Sequence, residues 1–127
     1  VPTMAARGWG RIITITSRTV REAIDGLVLS NATRAGVAGV VRTLAREVAG
    51  TGVTVNNVLP GSFATERLLE LSGTEAAVAA RGASSPMGRI GDPDELGAVI
   101  AFLAGVQASY LTGTSILVDG GESHVIA

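Results

Sequence analysis

Gly10-Arg11-Ile12-Ile13-Thr14-Ile15-Thr16-Ser17 is the stretch on which the fold turns. Isoleucine and threonine fill it, and β-branched side chains suit a pleated, half-buried backbone. It predicts a strand over Arg11–Thr16, closed by Ser17. Outward from it, Arg18 to Leu29 has mixed character and reads as a loop. From Ser30 to Val48 the pattern turns helical: Val37, Val40, Val41, Leu44 and Val48 recur at three- and four-residue steps and form one apolar face. Gly50 and Gly52 end that helix. Val53 to Leu59 reads as a second buried strand. Pro60-Gly61 stops it, because proline lacks an amide donor and glycine tolerates unusual backbone angles.

The second half repeats the alternation. Short helices are predicted around Glu66–Leu71 and Glu75–Arg81. Asp92-Pro93-Asp94-Glu95 is a helix start: Asp92 can cap, Pro93 suits the first helical position, and Glu95 sits where a capping box closes. That helix runs to about Ala104, and Ser115–Val118 is the third strand. Strands alternating with helices imply a parallel α/β sheet. The middle strand in sequence should also be the middle strand in space.

Composition narrows the function classes. The chain has 127 residues, enough for one domain with a modest core. A formal net charge of −1 with no basic run gives no electrostatic case for nucleic acid or an anionic membrane. No charged residue lies between Glu95 and Asp119, a stretch long enough to span a bilayer. Gln107, Ser109, Thr112, Thr114 and Ser115 crowd its second half, so it reads as a buried helix, a turn and a buried strand. Cysteine is absent, which excludes disulfides and thiolate metal sites and fits a cytoplasmic protein. His124 is the only histidine, so no metal site is expected. Tyr110 reads as a packing residue before the last strand, Trp9 as one packed at the end of a preceding helix, and Asn56 as structural.

Ser17, Ser30 and Arg34, with Val55-Asn56-Asn57-Val58-Leu59-Pro60-Gly61 and Val118-Asp119-Gly120-Gly121, fix a register at four separate points. From about Arg7 to Gly121 the chain resembles the C-terminal half of a short-chain dehydrogenase/reductase, of the 3-oxoacyl-ACP reductase-like group. The resemblance implies a Rossmann-like, doubly wound parallel sheet, of which residues 1–127 are one partial domain. No Gly-x-Gly-x-x-Gly stands here in a strand-to-helix context. The chain also begins at Val1 without an initiator methionine. It is therefore expected to be a fragment that lacks the dinucleotide-binding half.

In the family a serine orients the substrate carbonyl, a tyrosine gives the proton, and a lysine lowers the tyrosine pKa and binds the nicotinamide ribose. Ser17 matches the serine. Ser30 stands in the tyrosine slot and Arg34 in the lysine slot. Serine falls short of the substrate by about the width of a phenol ring, and its hydroxyl is far less acidic than a phenol of pKa about 10; as a plain residue it reads as the helix N-cap. Arg34 keeps a positive charge that can reach ribose hydroxyls but cannot release its proton; its bland reading is a solvated helix residue paired with a carboxylate. Pro60-Gly61-Ser62-Phe63-Ala64-Thr65 matches the family's Pro-Gly-x-x-x-Thr loop, which implies nicotinamide contacts through Pro60, Gly61, Phe63 and Thr65.

The resemblance thus implies NAD or NADP as cofactor and a small carbonyl or alcohol as substrate. A homo-oligomer, or association with the missing half, is expected. The competing reading, from the lost tyrosine, is a non-catalytic protein that acts by binding or assembly. The chain alone is expected to be inactive.

Overall fold

The computed structural model describes residues 1–126. Helix α1 (Pro2–Ala6) leads into β1 (Gly10–Ile15), and a 3-10 turn (Arg18–Val20) precedes α2 (Val28–Val48). Strand β2 (Val53–Pro60) follows, then α3 (Glu66–Ser72), α4 (Glu75–Ser84), α5 (Pro93–Ala104) and β3 (Ser115–Val118). The three strands form one parallel sheet in the order β1-β2-β3, so β2 is central as its burial demanded.

Side chains alternate across β2, and each face is covered by a helix. Val53 and Val55 pack with Val41, Ala45 and Val48 of α2, joined by Met4 and Ile12. Val58 packs on the opposite side with Leu103 of α5 and with Ala108, joined by Ile13 and Ile116. This is the doubly wound α/β arrangement of the strand–helix alternation.

Three expectations about α2 need correction. The helix starts at Val28, with Leu27 as N-cap, so Ser30 lies inside the first turn and does not cap. The entry is tied from elsewhere, since Asn31 Nδ2 donates to the Ile24 carbonyl at 3.0 Å. Val37 and Val40 are exposed, at 37% and 64%. The stripe that faces the sheet is Val41, Leu44, Ala45 and Val48. Small Ala45 belongs there because it lies against Gly113, where a larger side chain would collide.

Gly52 ends the turn after α2 with φ +77°, and a Cβ on it would stand 2.1 Å from the Gly8 carbonyl oxygen. Gly61 serves another purpose than the unusual backbone angle expected of it. Its φ is ordinary, but a Cβ would fall 2.6 Å from the Asp119 Cβ, so glycine is what lets β2 exit past the end of β3. Tyr110 does not pack; it is fully exposed. Trp9 is half exposed and sits between Arg7 and Arg11, whose guanidinium carbons lie 5.6 and 5.1 Å from its ring centre. Among the described residues no helix is long and apolar enough to cross a membrane.

Candidate active site at the carboxyl ends of the strands

Parallel strands deliver their carboxyl ends to one edge of the sheet, and ligands in such folds sit beyond that edge. The β1–β2 pairing persists until the Thr16 amide donates to the Val58 carbonyl at 2.9 Å. Ser17 is the next residue. Pro60 ends β2 opposite Val118 of β3. Ser17, Pro60 and Asp119 therefore emerge together.

Ser17 is half-buried and extended, and it caps the 3-10 turn. Its Oγ accepts from the Thr19 amide at 3.3 Å. That bond fixes the side chain and leaves the hydroxyl proton to be donated outward. The strand end below is held by a buried polar knot. Asn57 is fully buried, and its Oδ1 accepts from Thr14 Oγ1 at 2.8 Å and Thr16 Oγ1 at 2.9 Å. Asn56, also fully buried, donates to the Leu111 carbonyl at 2.8 Å and accepts from the Thr114 amide at 3.3 Å. Asn56 is structural, as its place in the strand suggested.

Ser30 and Arg34 meet. The Arg34 guanidinium donates to the Ser30 hydroxyl across one turn of α2. Both residues are part-buried, and Arg34 has no carboxylate within ion-pair distance among the described residues. The bland expectation of a carboxylate partner is corrected: the partner is the other substituted position.

The Pro-Gly loop is firmly built. Gly61 donates to the Val118 carbonyl at 3.0 Å, and the Gly91 amide donates to the Ser62 carbonyl at 3.0 Å. Phe63 is buried with its ring on Gly91, so the side chain belongs to the interior and the amide is what it can offer a ligand. Thr65 caps α3, its Oγ1 accepting from the Leu68 amide at 3.3 Å. The loop's far wall is α5, whose capping box at Asp92 and Glu95 is present in full.

One network escaped the sequence reading. Arg18 pairs with Glu22 at 3.2 Å and with Glu122 at 3.4 Å. Glu122 also accepts from the Ser62 amide at 3.1 Å, and Arg81 Nε donates to Ser62 Oγ at 2.8 Å. Asp119 is held below its ordinary pKa. Its partial burial would raise it, but the Ser123 side chain, the amides of Gly121 and Ser123 and the charge of Arg18 outweigh that. The only signals in the sequence were position: Arg18 adjoins Ser17, and Glu122 follows Gly120-Gly121.

The chain is similar to known proteins in sequence and fold. The family profile described as Enoyl-(Acyl carrier protein) reductase matches residues 1–123. Nodulation protein G of Azospirillum brasilense is 41% identical over 123 residues, covering 97% of this chain and 49% of its own. The 3-oxoacyl-[acyl-carrier-protein] reductase FabG of Vibrio cholerae is 39% identical over 118 residues, covering 93% of this chain and 48% of its own. The chain thus spans about half the length of the curated relatives it matches. A short-chain oxidoreductase of Pseudomonas aeruginosa PAO1, solved with NADPH and containing an atypical catalytic centre, superposes with a TM-score of 0.85 at 33% identity, covering 98% of this chain and 50% of its own.

Proposed function

The chain belongs to the short-chain dehydrogenase/reductase family, and from that premise we propose that the whole protein is a nicotinamide-dependent oxidoreductase acting on a small carbonyl or alcohol. The observation that carries this is the cation–hydroxyl pair. Arg34 donates to Ser30 at the spacing where the family keeps lysine and tyrosine. A fixed cation addresses the hydroxyl oxygen, and the hydroxyl proton is left to pass on.

Arg34 lowers the cost of charge on Ser30 and orients it. Serine is short, so a bridging water gives a proton to the substrate oxygen and takes the Ser30 proton in its place, and Ser30 is reprotonated from solvent. Ser17 donates to the substrate oxygen from the end of β1 and sets its direction. A reduced nicotinamide, when bound, supplies the hydride. Groups on this chain suit its nicotinamide end. The Phe63 amide has no partner among the described residues, and Arg34 keeps N–H groups for ribose hydroxyls. The dinucleotide phosphate loop is assigned to the part of the domain outside these residues. The Pseudomonas aeruginosa relative, which binds NADPH with an atypical catalytic centre, supports the reading. NAD and NADP are both kept as cofactors, and a cytoplasmic homo-oligomer is part of the proposal.

The binding-only reading has one observation in its favour: position 30 carries no tyrosine to give the proton. Turnover decides between them. The whole protein is incubated with NADH or NADPH and a panel of small ketones and aldehydes, and loss of reduced-nicotinamide absorbance is followed. Ser17→Ala is expected to lower kcat/KM by about 100-fold or more, as for loss of one oriented donor. No turnover with any pair, while nucleotide still binds, would leave the binding role.

A further inference from the structure

A polar hollow of about 320 Å³ lies between α4 and Arg18 of the chain that follows β1. Arg18, Arg81, Ser85 and Glu122 line it, with His124 at one side. The charges there are unequally spent. Arg18 is engaged by Glu22 and Glu122. Glu122 is in turn held by Arg18 and by the Ser62 amide, so its charge is answered. Arg81 is different. Its Nε is fixed on Ser62 Oγ at 2.8 Å, and among the described residues no carboxylate lies within ion-pair distance of it. Its terminal nitrogens are left to a ligand.

A second observation points the same way. Ser85 lines the hollow too, and its hydroxyl, open to solvent there, makes no hydrogen bond among the described residues. Arg81 is exposed but held at Nε, and its guanidinium with the open Ser85 hydroxyl makes a donor set for a planar oxyanion, for which the arginine fork matches a carboxylate best. The volume suits the carboxylate end of a small molecule. Ser62 ties Arg81 to the Pro-Gly loop, and Arg18 follows Ser17 directly. A carboxylate held here would therefore lie at the same edge of the sheet as Ser17.

We infer that this hollow holds the carboxylate of the substrate, making the protein a reductase of small keto acids or a dehydrogenase of the matching hydroxy acids, with Arg81 reading the charge. This rests on the oxidoreductase reading above, and the test separates the two. The whole protein and its Arg81→Gln and Arg81→Lys variants are assayed with NADPH and NADH on acetoacetate and on its uncharged methyl ester. Acetoacetate is also titrated calorimetrically into each protein, and thermal midpoints confirm that the variants fold.

The wild type is expected to favour acetoacetate over the ester. Arg81→Gln should cut the acid-to-ester ratio of kcat/KM by about 10- to 100-fold, mostly through KM, as for loss of a charge-assisted hydrogen bond. Arg81→Lys should recover part of it. Turnover with a ratio that Arg81→Gln does not change overturns the carboxylate site and leaves the oxidoreductase reading standing. Acetoacetate binding that is lost in Arg81→Gln, without turnover, upholds the site and removes the oxidoreductase reading. Neither binding nor a charge preference overturns the site.

Discussion

Arg34 donates its hydrogen bond to Ser30, one turn earlier in α2, so the two residues proposed for the lysine and tyrosine slots touch each other. Restoring both family residues is therefore the informative change. Ser30→Tyr with Arg34→Lys, made in the whole protein, is expected to raise carbonyl reduction by about 100-fold or more, the usual worth of a placed general acid. Steady-state kinetics check it. A slower double variant would mean that a different group gives the proton.

The capping box at the head of α5 gives a pH signature. Glu95 accepts from Arg89 at 2.6 and 2.7 Å and from the Asp92 amide at 2.8 Å, and these contacts hold its pKa at about 2. Its ordinary value is 4.5. A lowered folded-state pKa means that the contribution is present above 4.5 and is lost as pH falls toward 2. Glu95→Gln should lower the thermal midpoint at neutral pH, and the difference from wild type should close across that acid window. Because the pair is exposed, added salt should shrink the difference. A difference that stays constant with pH would mean that the carboxylate charge plays no part.

Two glycines near the end of α2 should part company. Gly52 has φ +77° and the Gly8 carbonyl in the way of a Cβ, whereas Gly50 faces open space. Gly52→Ala should cost about 1–3 kcal/mol or more. Gly50→Ala should be neutral or slightly stabilising. Denaturant midpoints measured side by side would show it, and equal effects would contradict the close approach.

The 127-residue chain on its own should self-associate. Strand β1 is an edge of the sheet, with Ile15 55% exposed, and an unpaired edge templates another chain. Val28, Leu29, Val40 and Phe102 add exposed apolar surface. The accessible area is 7633 Å², against about 6,300 Å² for a typical monomer of this size. Light scattering over a concentration series should show oligomers, and a monodisperse monomer at high concentration would contradict it.

Most of the sheet was legible because burial in a central parallel strand leaves a strong pattern. Val53 to Leu59 is buried at every residue, and Ser115–Val118 was found to the residue. The head of α5 was legible because capping chemistry is local. What failed needed tertiary facts. Val37 looks as apolar as Val41, and only packing on Val53 and Val55 shows that the stripe facing the sheet is Val41, Ala45 and Val48. Ser30 looked like a cap because serine is a good one, but Asn31 tied to Ile24 sets the helix entry two residues earlier. Of the candidate site, the positions at the strand ends were readable from register. The Arg34–Ser30 bond and the Arg18–Glu122–Ser62–Arg81 network join residues whose pairing no local pattern announces.

The most direct test of hydride transfer follows the hydride itself. NADPH and NADH deuterated at the transferring carbon are supplied to the whole protein with acetoacetate and a panel of neutral ketones, and the alcohol products are read by mass spectrometry. The account predicts one deuterium on the carbinol carbon of product, lost to background in Ser17→Ala. Product alcohols absent or unlabelled with every substrate, in a protein that still binds the nucleotide, would contradict it.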